Sequence, residues 1–489
     1  MIKKKLSWFW FDYLIFLLFF FFLFFKANGV LHGNEVSGIF YALFYRLNIK
    51  FLPSIFLYGH EPARGLIEIP FIFLGPNEFL LRLPSIIMAL ITFFVVKKTV
   101  KLLTNSHFIV TLTLLFYATS GVVILSRLTN GVSGFFLFVS LAAFYFLNFL
   151  KKENYRDLTK SLIYLFISLL FYIDSIFLLP GMGLNLFLKY KKKVLKKEII
   201  LPFFLFGVLF LLFIGLWSFI PYLAAKTNYI NPADLKEFGF FRILARGGEG
   251  FNFNVLKSIT VLNLYNHFLF SLSLLILFFT SFFDKWGKKY NLIFLFPLLY
   301  FSFHRAPTVH FLNFFPLIII GASFGLKKLA SFNKLGSFFL VLFLVLINLN
   351  FIKKFYFPEK IDFTNSIKGY YQNPQLFKAA GFIVRENALC REQVFSNLDS
   401  FVTLFYTGLP DKKNLATSDY ALLFNDQLNK EEFNYSYQLK DEFNNYFNIY
   451  SKKELIVPSV KTSILAKSFK QNYHQSAELF PNIKCNNYK

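Results

Sequence analysis

The sequence predicts a polytopic α-helical membrane protein with a soluble α/β domain at its carboxyl end. Three observations lead to this fold class: the composition is strongly apolar, apolar runs of membrane-spanning length recur, and the character of the chain changes after Ile352. Of the 489 residues, 56% are hydrophobic and 74 are Phe, and the mean hydropathy is +0.51. A soluble globular chain does not carry so large an apolar fraction.

The apolar runs predict about eleven transmembrane helices. The first run, Phe11–Phe25, follows a lysine-rich start and is not followed by a small-residue cleavage site, which indicates an uncleaved anchor. Ten further runs approach the roughly 20 residues that a helix needs to cross a bilayer. They are Leu80–Val96, His107–Leu125, Val132–Leu150, Leu162–Tyr172, Ile176–Leu188, Ile199–Ile220, Phe268–Phe283, Leu292–Phe303, Phe311–Leu326 and Phe338–Phe351.

Basic loops orient the predicted helices, because positive charge in short loops stays on the cytoplasmic side. Lysines gather after every second span, as in 97–101, 151–160 and 189–197, and again in 285–289 and 327–334. The pattern predicts an inner (plasma) membrane protein with a cytoplasmic amino terminus and an extracytoplasmic carboxyl terminus. The net charge of +25 resides mainly in these loops, so we expect the lipid bilayer and no nucleic acid as a partner.

The chain is predicted to divide into a transmembrane domain, residues 1–352, and an extracytoplasmic α/β domain, residues 353–489. Within the first domain, the predicted outer loops 26–79 and 221–267 are too long to be plain connectors. In the second domain, apolar residues at helical spacing predict a helix, and short apolar runs predict strands. These elements are the helix Pro374–Glu386 and the strands Gln393–Phe395, Tyr420–Phe424 and Leu455–Val457.

Both cysteines, Cys390 and Cys485, lie in the predicted outer domain. An oxidising compartment allows them to form a disulfide, but pairing depends on a geometry that the sequence does not contain. A disulfide and two free thiols therefore both remain open.

The first outer loop carries two groups of polar and charged residues. Glu35 follows Asn34, a good helix cap, and the apolar stripe behind them suits an amphipathic helix at the bilayer interface. Further along, His60, Glu61 and Arg64 lie within one short turn. Taken locally, these groups are a capped helix and a surface turn with an ion pair, but carboxylates beside bilayer spans are costly unless they serve a function.

A larger ordered pattern contains these residues. It runs Gly33-Asn34-Glu35, Tyr41-Ala42, His60-Glu61-Pro62, Phe73-Leu74-Gly75-Pro76-Asn77-Glu78-Phe79 and Leu81-Arg82-Leu83-Pro84-Ser85. Its order and spacing resemble the membrane glycosyltransferases of the GT-C fold, in the branch of the dolichyl-phosphate-mannose protein mannosyltransferases and the lipid A aminoarabinose transferase. The resemblance continues more weakly through Leu125-Ser126-Arg127, Phe303-His304-Arg305, Phe315-Pro316 and the outer domain.

The resemblance implies transfer of a sugar from a polyprenyl-phosphate-linked donor to a lipid, protein or polysaccharide acceptor of the envelope, on the outer face of the membrane. Such a donor carries its own leaving group, so the reaction needs a carboxylate to deprotonate the acceptor hydroxyl and cations to stabilise the leaving phosphate. Glu35 or Glu61 would be the catalytic base. Arg64, Arg127 and Arg305 would bind the donor phosphate, because guanidinium offers paired donors to phosphate oxygens.

The chain departs from the family pattern at the start of the first outer helix. The family carries Asp-Glu there, with the Asp taken as catalytic, whereas this chain has Asn34-Glu35. Either Glu35 has taken over the role, or Glu61 supplies the acid, or the chain is a degenerate member.

The resemblance also raises a divalent metal as a possible cofactor. His60 stands where the aminoarabinose transferase has an acid associated with a bound metal, and imidazole is a competent zinc or manganese ligand. His267 or His304 from other outer loops would join it. A hydrogen-bonded structural role for His60 remains open beside this hypothesis.

Two alternatives come from other functional classes. The number of spans also suits a lipid or sugar transporter or flippase, although the sequence shows neither the internal repeats nor the paired broken helices that transporters often carry. The Asn34 departure also suits a non-catalytic envelope scaffold. Acid-dependent sugar transfer separates the enzyme from both alternatives.

Overall fold

The computed structural model describes part of the chain, and this part falls into two compact units. The described residues are 2–25, 62–74, 78–126, 130–227, 232–237, 239–241, 262–263, 265–303, 312–356, 384, 392–396, 415–424, 437–439, 447–452 and 454. The first unit holds the described residues up to 67 and those within 84–354, and the second holds 68–83 and the described residues from 355 onward. The predicted domains, 1–352 and 353–489, stay a prediction.

Helices account for most of the described residues, and they are numbered here in chain order. They are α1 Ile2–Phe24, α2 Ala63–Leu66, α3 Ile69–Leu74, α4 Glu78–Thr104, α5 His107–Ala118, α6 Gly121–Leu125, α7 Asn130–Lys152, α8 Tyr155–Leu169, α9 Leu178–Tyr190, α10 Lys197–Lys226, α11 Phe268–Thr280, α12 Lys285–Phe303, α13 Phe315–Phe332 and α14 Lys334–Tyr356. A short 3₁₀-helix, Ile173–Phe177, joins α8 to α9. Helix α8 packs against α7 and α10, α9 against α12, and α11 against α13.

Helices cover most of each predicted apolar run, which confirms a polytopic helical membrane protein. Five of the described helices are both long and apolar enough to cross a bilayer: Phe79–Thr104, Gly131–Lys152, Lys197–Lys226, Leu312–Phe332 and Lys334–Lys353. Others are shorter; the 15 residues of α8 extend about 22 Å against a hydrocarbon core of about 30 Å. The number of spans stays a prediction.

Helix α10 shows most directly that the surroundings are apolar. Phe204, Leu211 and Leu212 expose 63%, 70% and 60% of their surface. Soluble monomers rarely expose a contiguous apolar surface of this extent. A bilayer around α10 accounts for these side chains without any further partner.

Several threonines inside the helices satisfy their own hydroxyl groups. Thr92, Thr99 and Thr113 each donate a hydroxyl to the carbonyl four residues earlier, at 2.7, 2.8 and 2.7 Å. This local bond is the usual solution for Thr where water is absent. These threonines therefore belong to helix structure and carry no indication of a binding site.

Several lysines of the predicted cytoplasmic loops gather at one end of the first unit. Lys97 forms a 2.7 Å ion pair with Asp12, and Asp12 also accepts a 2.8 Å hydrogen bond from Thr111. Lys189 pairs with Glu153 at 2.8 Å, and Lys189 holds the pKa of that exposed carboxyl below its usual range. We call this the lysine end.

The described part of the second unit contains a small mixed sheet. Its strands are β1 Val394–Ser396, β2 Tyr420–Phe424, β3 Tyr437–Leu439 and β4 Phe447–Ser451, in the order β1-β2-β4-β3. Strands β1 and β2 are parallel, and the other two pairings are antiparallel. The prediction was correct for β2 and within one residue for β1, and it missed β3 and β4.

One face of the sheet buries Ala421, Leu423 and Tyr450, with Phe395 and Leu415 packed against them. Tyr420 donates a 2.9 Å hydrogen bond to Glu392, and burial, with this carboxylate beside it, raises the pKa of the phenol. The predicted helix Pro374–Glu386 and strand Leu455–Val457 lie outside the described residues except for Val384, which is helical.

Candidate functional site

Most of the predicted site residues lie outside the part of the chain that the structure describes. This applies to Asn34, Glu35, His60, Glu61, Arg127, Arg305, Cys390 and Cys485. For Arg64 the structure describes the backbone, which lies in α2, but not the side chain. The roles predicted for these residues stay predictions. The described segments next to the three arginines nevertheless have defined positions.

Helix α2, which carries Arg64, is attached to the carboxyl end of α8. The backbone N–H of Ala63 donates a 3.0 Å hydrogen bond to the carbonyl of Leu170, the C-cap residue directly after α8. Pro62 precedes α2 and is buried, as is Gly65 within it. Proline suits this position because its missing N–H would have no partner in the first helical turn. Arg64 is therefore held one residue from a contact with α8.

The segment before Arg127 packs against the same region. The carbonyl of Ser126 accepts a 2.7 Å hydrogen bond from the hydroxyl of Ser133 in α7. The next residue, Gly134, lies so close to Phe171 that an added Cβ would come within 2.2 Å of its ring. The turn that leads to Arg127 is thus attached to α7 where α7 contacts Phe171.

The helix that leads to Arg305 reaches this region from a third direction. Tyr300, five residues before Arg305, stacks on Phe177 with ring centroids 3.9 Å apart and an interplanar angle of 24°. Phe177 ends the 3₁₀-helix that follows α8. Three described segments, each adjacent in sequence to one of the predicted phosphate-binding arginines, therefore meet around Leu170–Phe177.

This meeting point lies at the end of the bundle opposite the lysine end. Helix α8 begins three residues after the Lys152 end of α7 and runs about 22 Å before it reaches Leu170. Helix α12 begins at Lys285 beside Asp284, which lies 3.7 Å from Lys327, and also runs about 22 Å to Tyr300. The two helices give the same placement independently.

Asp174 is a buried acid in this region that the sequence analysis missed. It lies in the 3₁₀-helix and is 8% exposed, and it interacts with other groups of the protein. The signal available in the sequence was an acid between the predicted spans Leu162–Tyr172 and Ile176–Leu188. Asp is also common in turns, so the residue type alone does not indicate a site.

A network of uncharged polar residues joins the start of α11 to the break between α5 and α6. The side-chain oxygen of Asn266 accepts hydrogen bonds from the N–H of Gly121 at 2.8 Å and from the hydroxyl of Ser120 at 3.2 Å. Asn348 of α14 donates to the carbonyl of Thr119 at 2.8 Å and accepts from the N–H of His267 at 2.8 Å. These bonds satisfy the backbone groups that are freed where the helices break.

Of the three histidines proposed as metal ligands, His267 lies in the described residues, and it has a structural role. Nδ1 of His267 accepts a hydrogen bond from the N–H of Leu269 at 3.3 Å and so caps α11. In the described ranges, no three His, Cys, Asp or Glu side chains are grouped to hold a metal ion. A metal at His60 stays a prediction.

The second unit contains two buried charged residues of its own, Glu68 and Arg82. They are 3% and 2% exposed, and both interact with other groups. Arg82 belongs to the sequence pattern that carries the family resemblance, whereas Glu68 was not singled out. A buried charge is retained at a high cost unless it is paired.

Comparison with known proteins agrees with the fold that the sequence predicted. Residues 66–218 match the family model described as dolichyl-phosphate-mannose-protein mannosyltransferase. No curated protein sequence matches the chain. The matched segment begins in α2 and ends within α10, so it includes the region around Leu170–Phe177.

The structural class is therefore that of a polytopic membrane protein with the GT-C fold. Among solved structures, ArnT from Cupriavidus metallidurans in the apo state is similar, with 12% identity and a TM-score of 0.62 over 93% of this chain and 99% of that chain. ArnT from the same organism bound to undecaprenyl phosphate is also similar, with 10% identity and a TM-score of 0.59 over 92% of this chain and 98% of that chain. Together, the family model and the fold support a membrane glycosyltransferase of the GT-C type.

Proposed function

We propose that this protein transfers a sugar from a polyprenyl-phosphate-linked donor to an envelope acceptor on the outer face of the plasma membrane. The observation that carries the proposal is the similarity to ArnT over 93% of the chain. The ArnT structure that contains undecaprenyl phosphate supports a polyprenyl phosphate as the lipid of the donor. The acceptor is a lipid, a protein or a polysaccharide.

The meeting of three arginine-bearing segments supports a phosphate site at the end of the bundle away from the lysines. Arg64, Arg127 and Arg305 would surround the donor phosphate and stabilise the charge that builds up as the sugar leaves. Guanidinium groups suit this role because their donors match phosphate oxygens in pairs. In this orientation the amino terminus is cytoplasmic and residues 353–489 are extracytoplasmic.

The acceptor hydroxyl needs a base, and Glu35 and Glu61 are the candidates. A carboxylate accepts the hydroxyl proton as the new glycosidic bond forms, while the polyprenyl phosphate departs with the electrons of the broken bond. Asn34, in the position of the family aspartate, cannot accept this proton. Both glutamates lie outside the described residues, and separate replacement of each distinguishes them.

The proposal is tested by mass spectrometry of envelope lipids, proteins and polysaccharides from cells with and without the gene. A product that disappears on deletion and returns with the wild-type gene identifies the transferred sugar and its acceptor. Complementation with Glu35→Gln or Glu61→Gln should then lower product formation by roughly two to four orders of magnitude for the true base. Glu153→Gln is the matched control, because Glu153 is an exposed glutamate at the lysine end.

The two alternatives predict different results. A flippase would change the sidedness of a lipid-linked sugar without dependence on either carboxylate. A scaffold would leave every glycan unchanged when the Glu35→Gln, Glu61→Gln double variant replaces the wild type at equal protein level. Near-normal product in this double variant would remove both carboxylates from the mechanism.

A further inference from the structure

The 3₁₀-helix Ile173–Phe177 places a carboxylate and an aromatic ring on the same face. Side chains three residues apart in a 3₁₀-helix eclipse one another, so Asp174 and Phe177 project in the same direction. Phe177 stacks on Tyr300 of α12 at 3.9 Å. Asp174 is therefore on the face of the 3₁₀-helix that meets α12.

The position of this pair is fixed by close packing of the two helices below it. An added Cβ on Gly181 of α9 would lie 2.3 Å from the carbonyl oxygen of Leu292 in α12. Helices that approach this closely leave little freedom to the residues one or two turns further along. Asp174 and Tyr300 are thus held by rigid helices, as a binding site requires.

Asp174 is more deeply buried than the two aromatic rings beside it, an arrangement that suits a small polar ligand. Asp174 is 8% exposed, whereas Phe177 and Tyr300 are half-buried. Ligand sites are typically lined by aromatic side chains with a few fixed polar groups. A carboxylate accepts hydrogen bonds from two hydroxyl groups, and a phenol both donates and accepts.

We propose that Asp174 and Tyr300 form the subsite that holds the hydroxyl groups of the donor sugar. This inference rests on the proposed function, because it assigns the sugar to the space next to the predicted phosphate site. The described residues next to Arg64, Arg127 and Arg305 contact residues around 170–177, the stretch that contains Asp174. The ring faces of Phe177 and Tyr300 that are turned away from their mutual stack suit the apolar C–H surface of a sugar ring, since a ring face carries negative charge density.

The proposal separates recognition of the sugar from recognition of the lipid phosphate. The purified full-length protein in nanodiscs is titrated with undecaprenyl phosphate and with a panel of undecaprenyl-phosphate hexoses and pentoses, and binding is followed by native mass spectrometry. The wild type should bind one sugar-linked lipid more tightly than undecaprenyl phosphate. Asp174→Asn should lower the affinity for that sugar-linked lipid by roughly 10- to 100-fold, as expected when hydrogen bonds to a charged group are lost.

Tyr300→Phe keeps the stacked ring and removes only the hydroxyl. It should therefore lower the affinity for the sugar-linked lipid by roughly 2- to 10-fold. Binding of undecaprenyl phosphate should be unchanged in both variants. The matched controls are Asp157→Asn and Tyr290→Phe. Asp157 accepts a hydrogen bond from Asn148 at 2.7 Å, and Tyr290 donates to the carbonyl of Leu317 at 2.8 Å. Neither control should change the affinity for either lipid.

Several results would overturn the inference. One is an Asp174→Asn or Tyr300→Phe variant that prefers the sugar-linked lipid as strongly as the wild type. Another is an equal loss of affinity for both lipids, which would indicate that the residues support folding and not sugar binding. If the wild type binds undecaprenyl phosphate but binds no sugar-linked lipid more tightly, the sugar subsite is refuted and the proposed function is not. A wild type that binds no polyprenyl lipid would refute the proposed function as well.

Discussion

Asn266 shows how a single buried amide can hold several helix ends together. Its side chain is fully buried, and its oxygen accepts hydrogen bonds from Ser120, Gly121 and Asn348. Gly121 must remain glycine, because an added Cβ would lie 1.8 Å from the carbonyl oxygen of Tyr265. Burial also raises the pKa of the Tyr265 phenol.

Replacement of Asn266 by Ala should therefore destabilise the protein. The substitution leaves the N–H of Gly121 and the amide of Asn348 buried without this acceptor, which costs about 1–3 kcal/mol. The measurement is the free energy of unfolding in mixed micelles. Asn185→Ala is the matched control, because this buried asparagine donates to the carbonyl of Gly181 in its own helix, at 3.0 Å. Equal losses in the two variants would contradict a special role for the Asn266 network.

At the scale of elements, the contact between α9 and α12 positions the region around Asp174. Gly181 makes this contact possible, since a Cβ there would meet the backbone of both Leu292 and Ile293, at 2.3 Å and 2.7 Å. Gly183 lies two residues further along the same helix, and a Cβ there would meet nothing within 4 Å. The two glycines thus provide a matched pair within one element.

Gly181→Ala should force α9 away from α12 and lower the free energy of unfolding by roughly 1–3 kcal/mol. It should also weaken use of the sugar-linked donor, because Phe177 would move relative to Tyr300. Gly183→Ala should leave activity unchanged and raise helix stability by about 0.5–1 kcal/mol. Sugar transfer and unfolding are measured on both variants. If the two behave alike, the close approach does not position the site.

The elements that could be predicted from sequence are those defined by long apolar runs. The predicted strand Tyr420–Phe424 has the same bounds as β2, whereas the predicted span Leu162–Tyr172 covers only the second half of α8, which begins at Tyr155. Asn154 caps this helix by accepting the N–H of Arg156 at 3.2 Å, and the polar first turn was mistaken for a loop. The run His107–Leu125 also hid the break at Ser120, because the break depends on Asn266 and Asn348.

The candidate site could be predicted only as a set of separate motifs. Arg64, Arg127 and Arg305 were chosen for their charge and their predicted outer position. No local pattern shows that Ala63 bonds to Leu170 or that Tyr300 stacks on Phe177, since these contacts join distant parts of the chain. Asp174 was missed for the same reason, because its surroundings are created by α12.

At the scale of the whole molecule, the lysine end supports the predicted orientation in the membrane. Lys97, Lys151 and Lys189 come from three different predicted cytoplasmic clusters. Lys97 pairs with Asp12, Lys151 donates to the carbonyl of Leu102 at 3.0 Å, and Lys189 donates to the carbonyl of Leu150 at 2.7 Å. The clusters therefore lie on one side of the bundle, as positively charged cytoplasmic loops should.

Reporter fusions test this orientation directly. A fusion after Lys193 should be cytoplasmic, and a fusion after Thr227 should be exported, because α10 alone separates the two positions and its 30 residues extend about 45 Å. A fusion after Asn387, in the predicted outer domain, should also be exported. Alkaline phosphatase and green fluorescent protein provide opposite readouts for each position. An exported signal at Lys193 would reverse the orientation and place the meeting point of the arginine segments on the cytoplasmic face, where an outer-leaflet donor cannot reach it.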